Sequence, residues 1–568
     1  MAATHLNQAN FADYLVIACY GLLMAIVGVY VMRFNRGAAE YFKGGNRIPW
    51  LVAGLSSFMA GFSAWTFTGA AGVAYKAGVA VIGLYIGNAL SFLLGYFIFA
   101  ARWRRSRITT VMEYLGARFN TTTHQTFSWS MVVFQIFTGG STLYGLSLFI
   151  SSACGFPISW TIAVSGGLIL FYCVIGGLWA VVLTDFLQAS ILMPFCLVLV
   201  MASLAAVGGV AGLLHSLPPE MKTIHVTGEF GWIYLLCWTV MVSFGYNTSA
   251  MAQRYFSVED EPAARKAALL CAGLFMAGAF LWFIPPMVMR VIYPDLHSLW
   301  PSLANPSEAA YAVASLTLLP HGLIGIMLAA MFSSTMANVS AALNLKAAIL
   351  TKDIYKGLFR KNAGDRELLY VGWIMTLLVG VCTTGVAIIM AATGQSIFGV
   401  MLTFNTLISL AYGPPALLGL VVRRTPPWSG LAMFATGLVL GSLGAFVWNW
   451  SLIEQVLVII PSSFAVFFAS MLADRGDTPG RAFLFRRLNT PVDTGTELQD
   501  SPDMTATVFR FLAVTVTCIG LLSLILLPSA GAGHRSTVLW FTGMTLAVSG
   551  SLSLIRGRRG IPTPAAAR

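Results

Sequence analysis

The sequence predicts an all-α, polytopic membrane protein, and three observations carry that prediction. Its 568 residues are 57% hydrophobic and only 10% charged, against about 25% charged in a soluble domain. A helix that crosses a bilayer needs roughly 20 apolar residues, and about fifteen such stretches can be placed. When the 33 Lys and Arg are sorted along them with the N-terminus outside, only Lys76, Lys222, Arg290 and Arg535 fall on the outer side. This is the positive-inside pattern, and it puts the C-terminus inside. The net charge of +12 is therefore a topology signal, and no nucleic-acid partner is expected.

In chain order the expected spans are 12–32, 49–75, 79–101, 128–153, 157–177, 180–208, 229–256, 264–294, 319–345, 368–393, 395–423, 427–449, 452–474, 507–528 and 536–556. Residues 1–48 hold an extra N-terminal span and an inward loop. The opening MAATHLNQANFADYL lacks a basic n-region and runs into a full-length span, so no cleaved signal peptide is expected. Two spans are unusual. Span 49–75 is packed with Gly, Ser and Ala, and span 229–256 is interrupted by Gly245-Tyr246-Asn247-Thr248-Ser249. Each opens a block of five spans, 49–208 and 229–424, separated by an external loop at 209–228. An odd number of spans inverts the second block relative to the first. Interrupted segments at matching places in inverted halves point to a binding site near the midplane; close helix packing through small residues is the plainer alternative.

Two peripheral helices follow at 425–474. A cytoplasmic linker is expected at 475–506, since Asp474–Asp503 has Pro, Gly, Thr and mixed charge with no apolar period. Residues 507–568 add two further helices and a basic tail. The eight cysteines lack paired spacing and read as small apolar residues. Asp13 and Glu454, near outer span ends, are expected to reach the interface. No nucleotide-binding motif stands in a suitable context, so no enzyme activity is expected.

The stretch Gly322–Tyr355 organises the chain. Within it Ala330, Ser333 and Ser334 stand at i, i+3 and i+4 and share a helix face. Two hydroxyls and a carbonyl make half a cage for a hard cation, and Gly54–Trp65 is expected to supply the other half.

Six motifs, in a fixed order over about Tyr41 to Arg424, resemble the sodium:solute symporter family. They are YFKGGNRIPWLVAGLSSFMAGFSAWTFTGAAGVAYKAG from Tyr41, TTVMEYLGARF (Thr109–Phe119), GGLWAVVLTDFLQ (Gly176–Gln188), QRYFSVEDEPAARKA (Gln253–Ala267), the TKDIY ending at Tyr355, and Gly413-Pro414. The resemblance implies a five-plus-five inverted-repeat, leucine-transporter-like core with extra helices. It also implies symport driven by Na⁺. The family's shared sodium site uses two carbonyls of the broken first core helix with a carbonyl and two hydroxyls of the eighth. Matched by position, these are Met59, Phe62, Ala330, Ser333 and Ser334. Some members hold a second sodium with an Asp at the place of Asp185, but the hydroxyls this needs are Met336 and Ala337 here. One sodium per cycle is expected, with Asp185 tuning cation access or release, or pairing with an inward Arg.

Sugar carriers of the family place a Glu and a Lys where this chain has Tyr85 and Phe275, which weakens a sugar reading. Ser63-Ala64-Trp65 resembles the Ser-Gly-Trp of proline carriers, and Phe244 matches an inner aromatic gate. The candidate solute-facing residues are Ser63, Trp65, Tyr85, Gln135, Phe244, Asn247 and Asn405, each with an interhelical hydrogen bond or packing as its plainer role. The expectation is a multi-pass secondary transporter of a bacterial inner (plasma) membrane. Its partners would be the bilayer, Na⁺ and a small organic solute such as an amino acid or carboxylate. Rival readings are a proton-coupled or uncoupled carrier and a transporter-fold membrane sensor. The sequence assigns no oligomeric state.

Overall fold

The computed structural model describes residues 10–31, 38–62, 64–154, 156–223, 231–298, 306–319, 323–393, 397–498, 505–524, 527 and 535–559. Among the described residues every regular element is helical. Eleven helices are long and apolar enough to cross a membrane, or twelve when the bent pair Trp50–Ala60 and Trp65–Ala77 counts as one span. These twelve coincide with expected spans. The other three expected spans fall on the helices Thr121–Cys154 and Trp232–Tyr246 and on the first part of Ile158–Ala206, which are more polar or shorter.

The helices that position the site are α1 (Phe11–Val31), α2 (Trp50–Ala60), α3 (Gly69–Ala77), α4 (Ala80–Leu94), α5 (Thr121–Cys154), α6 (Ile158–Ala206), α7 (Trp232–Tyr246), α8 (Ser249–Ser257), α9 (Glu261–Ile292), α10 (Leu323–Ala348), α11 (Asp365–Thr393) and α12 (Ile397–Val421). α6 is two helices joined at Gly177, which holds φ 54° and ψ −149°. A Cβ there would lie 2.7 Å from the Tyr41 carbonyl oxygen, so the bend requires glycine.

α10 is the hub. Its span is 94% buried, against 28% for α11, and it packs on α1, α2, α5, α6 and α11. A helix that is apolar all round can only sit inside a bundle. Asp13 does not reach the interface as the sequence suggested. It is fully buried, and its carboxylate accepts the Gly325 N–H at 2.6 Å. It thus caps the free donors and positive end of α10. Glu454 does lie at an exposed helix start, closing a capping box with Ser451.

Several motifs are pins between elements. Thr110 and His124 both bond the Asp353 carboxylate, at 2.7 and 2.8 Å. Gln253 donates to the Phe42 carbonyl at 2.7 Å and to Asn344 Oδ1 at 2.9 Å. The segment expected as a linker holds α13 (Pro479–Asn489) and is strapped onto the basic face. Arg107 pairs with Glu497 at 2.7 Å, Arg105 with Glu261 at 2.8 Å, and the Val492 N–H also reaches Glu261.

Candidate functional site

The first break follows α2. Gly61 ends the helix, its N–H bonded to the Ser57 and Phe58 carbonyls, and the Phe62 N–H returns to the Met59 carbonyl at 3.1 Å. The chain resumes as a helix bent by 58°. A helix end in a membrane leaves carbonyls that something must satisfy. Here Asn338 of α10 donates its side-chain amide to the Ala60 carbonyl at 2.7 Å. Asn338 is thus the α10 side chain that spans the break, a role the sequence reading overlooked. Its place on the Ser334 face, four residues on, was the available signal.

Met59, Phe62, Ala330, Ser333 and Ser334 are all fully buried. Ser334 donates to the Met331 carbonyl at 2.8 Å. Ser333 instead points to α1, donating to the Tyr20 hydroxyl at 2.8 Å, and Gln188 of α6 donates to that same hydroxyl at 3.2 Å. α10 therefore turns Ser334 and Asn338 toward one side and Ser333 toward another. Both serines spend their protons on neighbours, which leaves oxygen lone pairs.

Asp185 lies in a dry triad. Ser56 donates to its carboxylate at 2.5 Å, Arg254 approaches the same oxygen at 3.4 Å, and Arg254 also bonds Ser56 Oγ at 3.0 Å. Both charged side chains have zero exposure. The triad joins α6, α2 and α8, and so links the segment before the first break to the segment after the second.

The second break separates α7 from α8. Asn247 donates to the Ser243 and Ser91 carbonyls, both at 3.0 Å. Thr248 donates to the Phe244 carbonyl at 2.8 Å. The carbonyl of Asn247 accepts Trp103 Nε1 at 2.8 Å. Asn247 is therefore bound up as a cap.

The remaining solute candidates are dispersed. Ser63 lies outside the described residues. Half-buried Trp65 stacks on Trp238 with centroids 5.7 Å apart. Tyr85 is sealed in an aromatic cluster with Phe275, Trp282 and Phe283, its hydroxyl 2.8 Å from Thr66 Oγ1. Phe244 is half-buried against Phe464. Asn405 is exposed. Gln135 gives its backbone carbonyl to Lys346 at 2.9 Å. Sorting by charge had put Lys346 in an inward loop, but the structure buries it in α10.

Residues 41–469 match the model of the sodium:solute symporter family. The chain is 28% identical over 477 residues to sodium/glucose cotransporter 2 of Rattus norvegicus, covering 76% of this chain and 71% of that protein. It is 27% identical over 467 residues to sodium/myo-inositol cotransporter 2 of Sus scrofa, covering 76% and 69%. The substrate-bound, outward-open structure of a Na⁺-coupled sialic acid symporter superposes with a TM-score of 0.72 at 21% identity, covering 82% of this chain and 98% of that one. That likeness is one of fold.

Proposed function

Because the chain belongs to the sodium:solute symporter family, we propose that it is a secondary active transporter in which Na⁺ flowing inward drives uptake of a small organic solute by alternating access. The observation that carries the reading is the first break, where a severed helix in the bundle interior is held by a polar side chain of the central helix. Broken helices facing one another across inverted repeats are where such carriers bind ion and solute.

The proposed sodium ligands are the carbonyls of Met59, Phe62 and Ala330 with the hydroxyls of Ser333 and Ser334. The hydrogen bond from Asn338 to Ala60 crosses the same break, so an ion lodging there must contend with it. Five neutral oxygens suit a hard cation that has to be released each cycle. One sodium crossing 100 mV supplies about 2.3 kcal/mol. A tenfold gradient adds about 1.4 kcal/mol. Asp185 acts in this reading on the cation path while neutralising Arg254.

The architecture proposed with it has fifteen spans, the N-terminus outside and the C-terminus inside, repeats at 49–208 and 229–424, and a bacterial inner membrane as its location. For the solute we favour a small amino acid or carboxylate, with Trp65, Phe244 and Gln135 the candidate contacts least committed to sealing the bundle. A sugar or polyol is the second reading, favoured by the glucose and myo-inositol relatives. The rings of Tyr85 and Phe275, packed 6.0 Å apart, stand against it. The deciding experiment is a thermal-shift screen of purified protein against amino acids, carboxylates and sugars, each with and without Na⁺. Stabilisation by an acid only when Na⁺ is present supports the proposal. Equal responses in Na⁺ and in choline would refute sodium coupling.

A further inference from the structure

An ionisable group inside a membrane bundle is costly and is ordinarily paired. Asp185 and Arg254 obey that rule, whereas Lys346 has no counter-ion among the described residues. Lys346 has zero exposure, and its one recorded hydrogen bond is to the Gln135 carbonyl at 2.9 Å. Among the described residues, Thr383 Oγ1 of α11 is buried without a partner, and so is Gln135 Oε1, on the residue whose carbonyl Lys346 bonds. The three helices meet over Gly139 of α5. A Cβ on that glycine would lie 3.2 Å from Lys346 Nζ, 3.1 Å from Thr383 Cγ2 and 3.9 Å from Thr383 Oγ1. The amine and the threonine side chain thus share one small space that glycine leaves open.

The surrounding elements bring no described counter-ion to that space. On α5, His124 is committed to Asp353. On α11, Cys382 is exposed. From α6, Asp185 is held by Ser56 and Arg254. Cys173, on the same helix, offers its carbonyl to Tyr41, whose hydroxyl also meets Thr376. Farther along the α10 span, Asp353 is taken by Thr110 and His124. An ammonium has three N–H donors, and among the described residues this one makes a single bond.

We propose that Lys346 is a proton-binding site that ties closure of α5, α10 and α11 to pH. The neutral amine suits the closed, dry bundle, since it carries no charge to desolvate. Taking a proton from water gives an ammonium, which needs further acceptors, Thr383 Oγ1 and water among them. Protonation therefore favours parting of the three helices, and closing them expels the proton again.

The test is hydrogen–deuterium exchange of the full-length protein in nanodiscs, from mildly acidic to alkaline pH, without solute or Na⁺. In the wild type, exchange in the three helices, taken relative to each amide's intrinsic rate at that pH, rises several-fold on acidification. Lys346→Met keeps them slow at every pH, and Lys346→Arg keeps them fast. The same acid-induced rise in Lys346→Met overturns the proposal, as does a wild type with no rise. Should Lys346→Met fail to fold, Thr383→Val retains the lysine but removes one acceptor oxygen. Opening then moves to lower pH by about one unit, and an unmoved profile likewise overturns the assignment.

Discussion

The two breaks are closed by different means. At the first, the freed Ala60 carbonyl is satisfied from across the bundle, by Asn338 of α10. At the second, Asn247 and Thr248 take the Ser243 and Phe244 carbonyls from within the break, while Trp103 takes the Asn247 carbonyl from outside it. The second break keeps the part of its cap made within its own turn when neighbouring helices shift, losing the contacts to Ser91 and Trp103. The first break is held from across the bundle, so parting of α2 and α10 opens it, which is the property an ion site needs.

The largest expected effect is on the triad that joins the two breaks. Arg254→Met leaves Asp185 charged, dry and unpaired, and breaking a buried pair from one side costs about 3–5 kcal/mol. Denaturant or thermal unfolding in detergent measures it. Adding Asp185→Asn should recover much of the loss, because the stranded charge goes too. If the double variant is no better than the single one, the pair is not what holds the segments together.

The next prediction compares the breaks directly. Asn338→Leu strands the Ala60 carbonyl in the core, at a cost of about 1–3 kcal/mol. Thr248→Val should cost less, about 1 kcal/mol, because Asn247 and Trp103 still hold the rest of that cap. Equal losses would remove the asymmetry. Ser334→Ala sharpens it from the side of function. The hydroxyl bonds only its own helix, so stability changes little, while half-maximal sodium activation rises about tenfold, or about 1.4 kcal/mol. Flux of a solute found in the screen, measured against Na⁺ in proteoliposomes, reads this out. Wild-type-like activation would remove Ser334 from the site.

The span pattern was legible because lipid allows few alternatives. Uninterrupted apolar length is imposed residue by residue. Both breaks were legible too, as runs of Gly, Ser and polar residues inside apolar spans. What crosses a break was not legible, since it depends on how α10 is rotated. Ser333 and Ser334 look equivalent in sequence, yet α10 gives one to Tyr20 and keeps the other near Asn338. Asp185 announced that it needed a partner, but Arg254 lies 69 residues on and only packing joins them. Lys346 was misplaced because counting a lysine by side presumes that it reaches water.

The smallest expected effect lies on the strap, outside both breaks. Arg107 and Glu497 are partly exposed, at 19% and 26%, so the pair should be worth about 0–1 kcal/mol and less in salt. Glu497→Gln therefore changes the unfolding midpoint only slightly. Its sharper readout is the neighbouring, half-buried Lys43. Burial pushes that amine down to about 8 from its ordinary 10.5, with Glu113 and Glu497 pulling it back up and Arg104 and Lys352 pushing it further down. Since the folded value lies below the unfolded one, the unfolded chain holds more protons across that window. Stability should therefore rise with pH from about 8 toward the ordinary lysine value. Removing the Glu497 charge should start that rise at lower pH, which unfolding at a series of pH values measures. A loss well beyond about 1 kcal/mol at neutral pH would mean that the strap bears on the closure of the breaks. The contrast between them would then belong to the whole basic face rather than to the helices that form it.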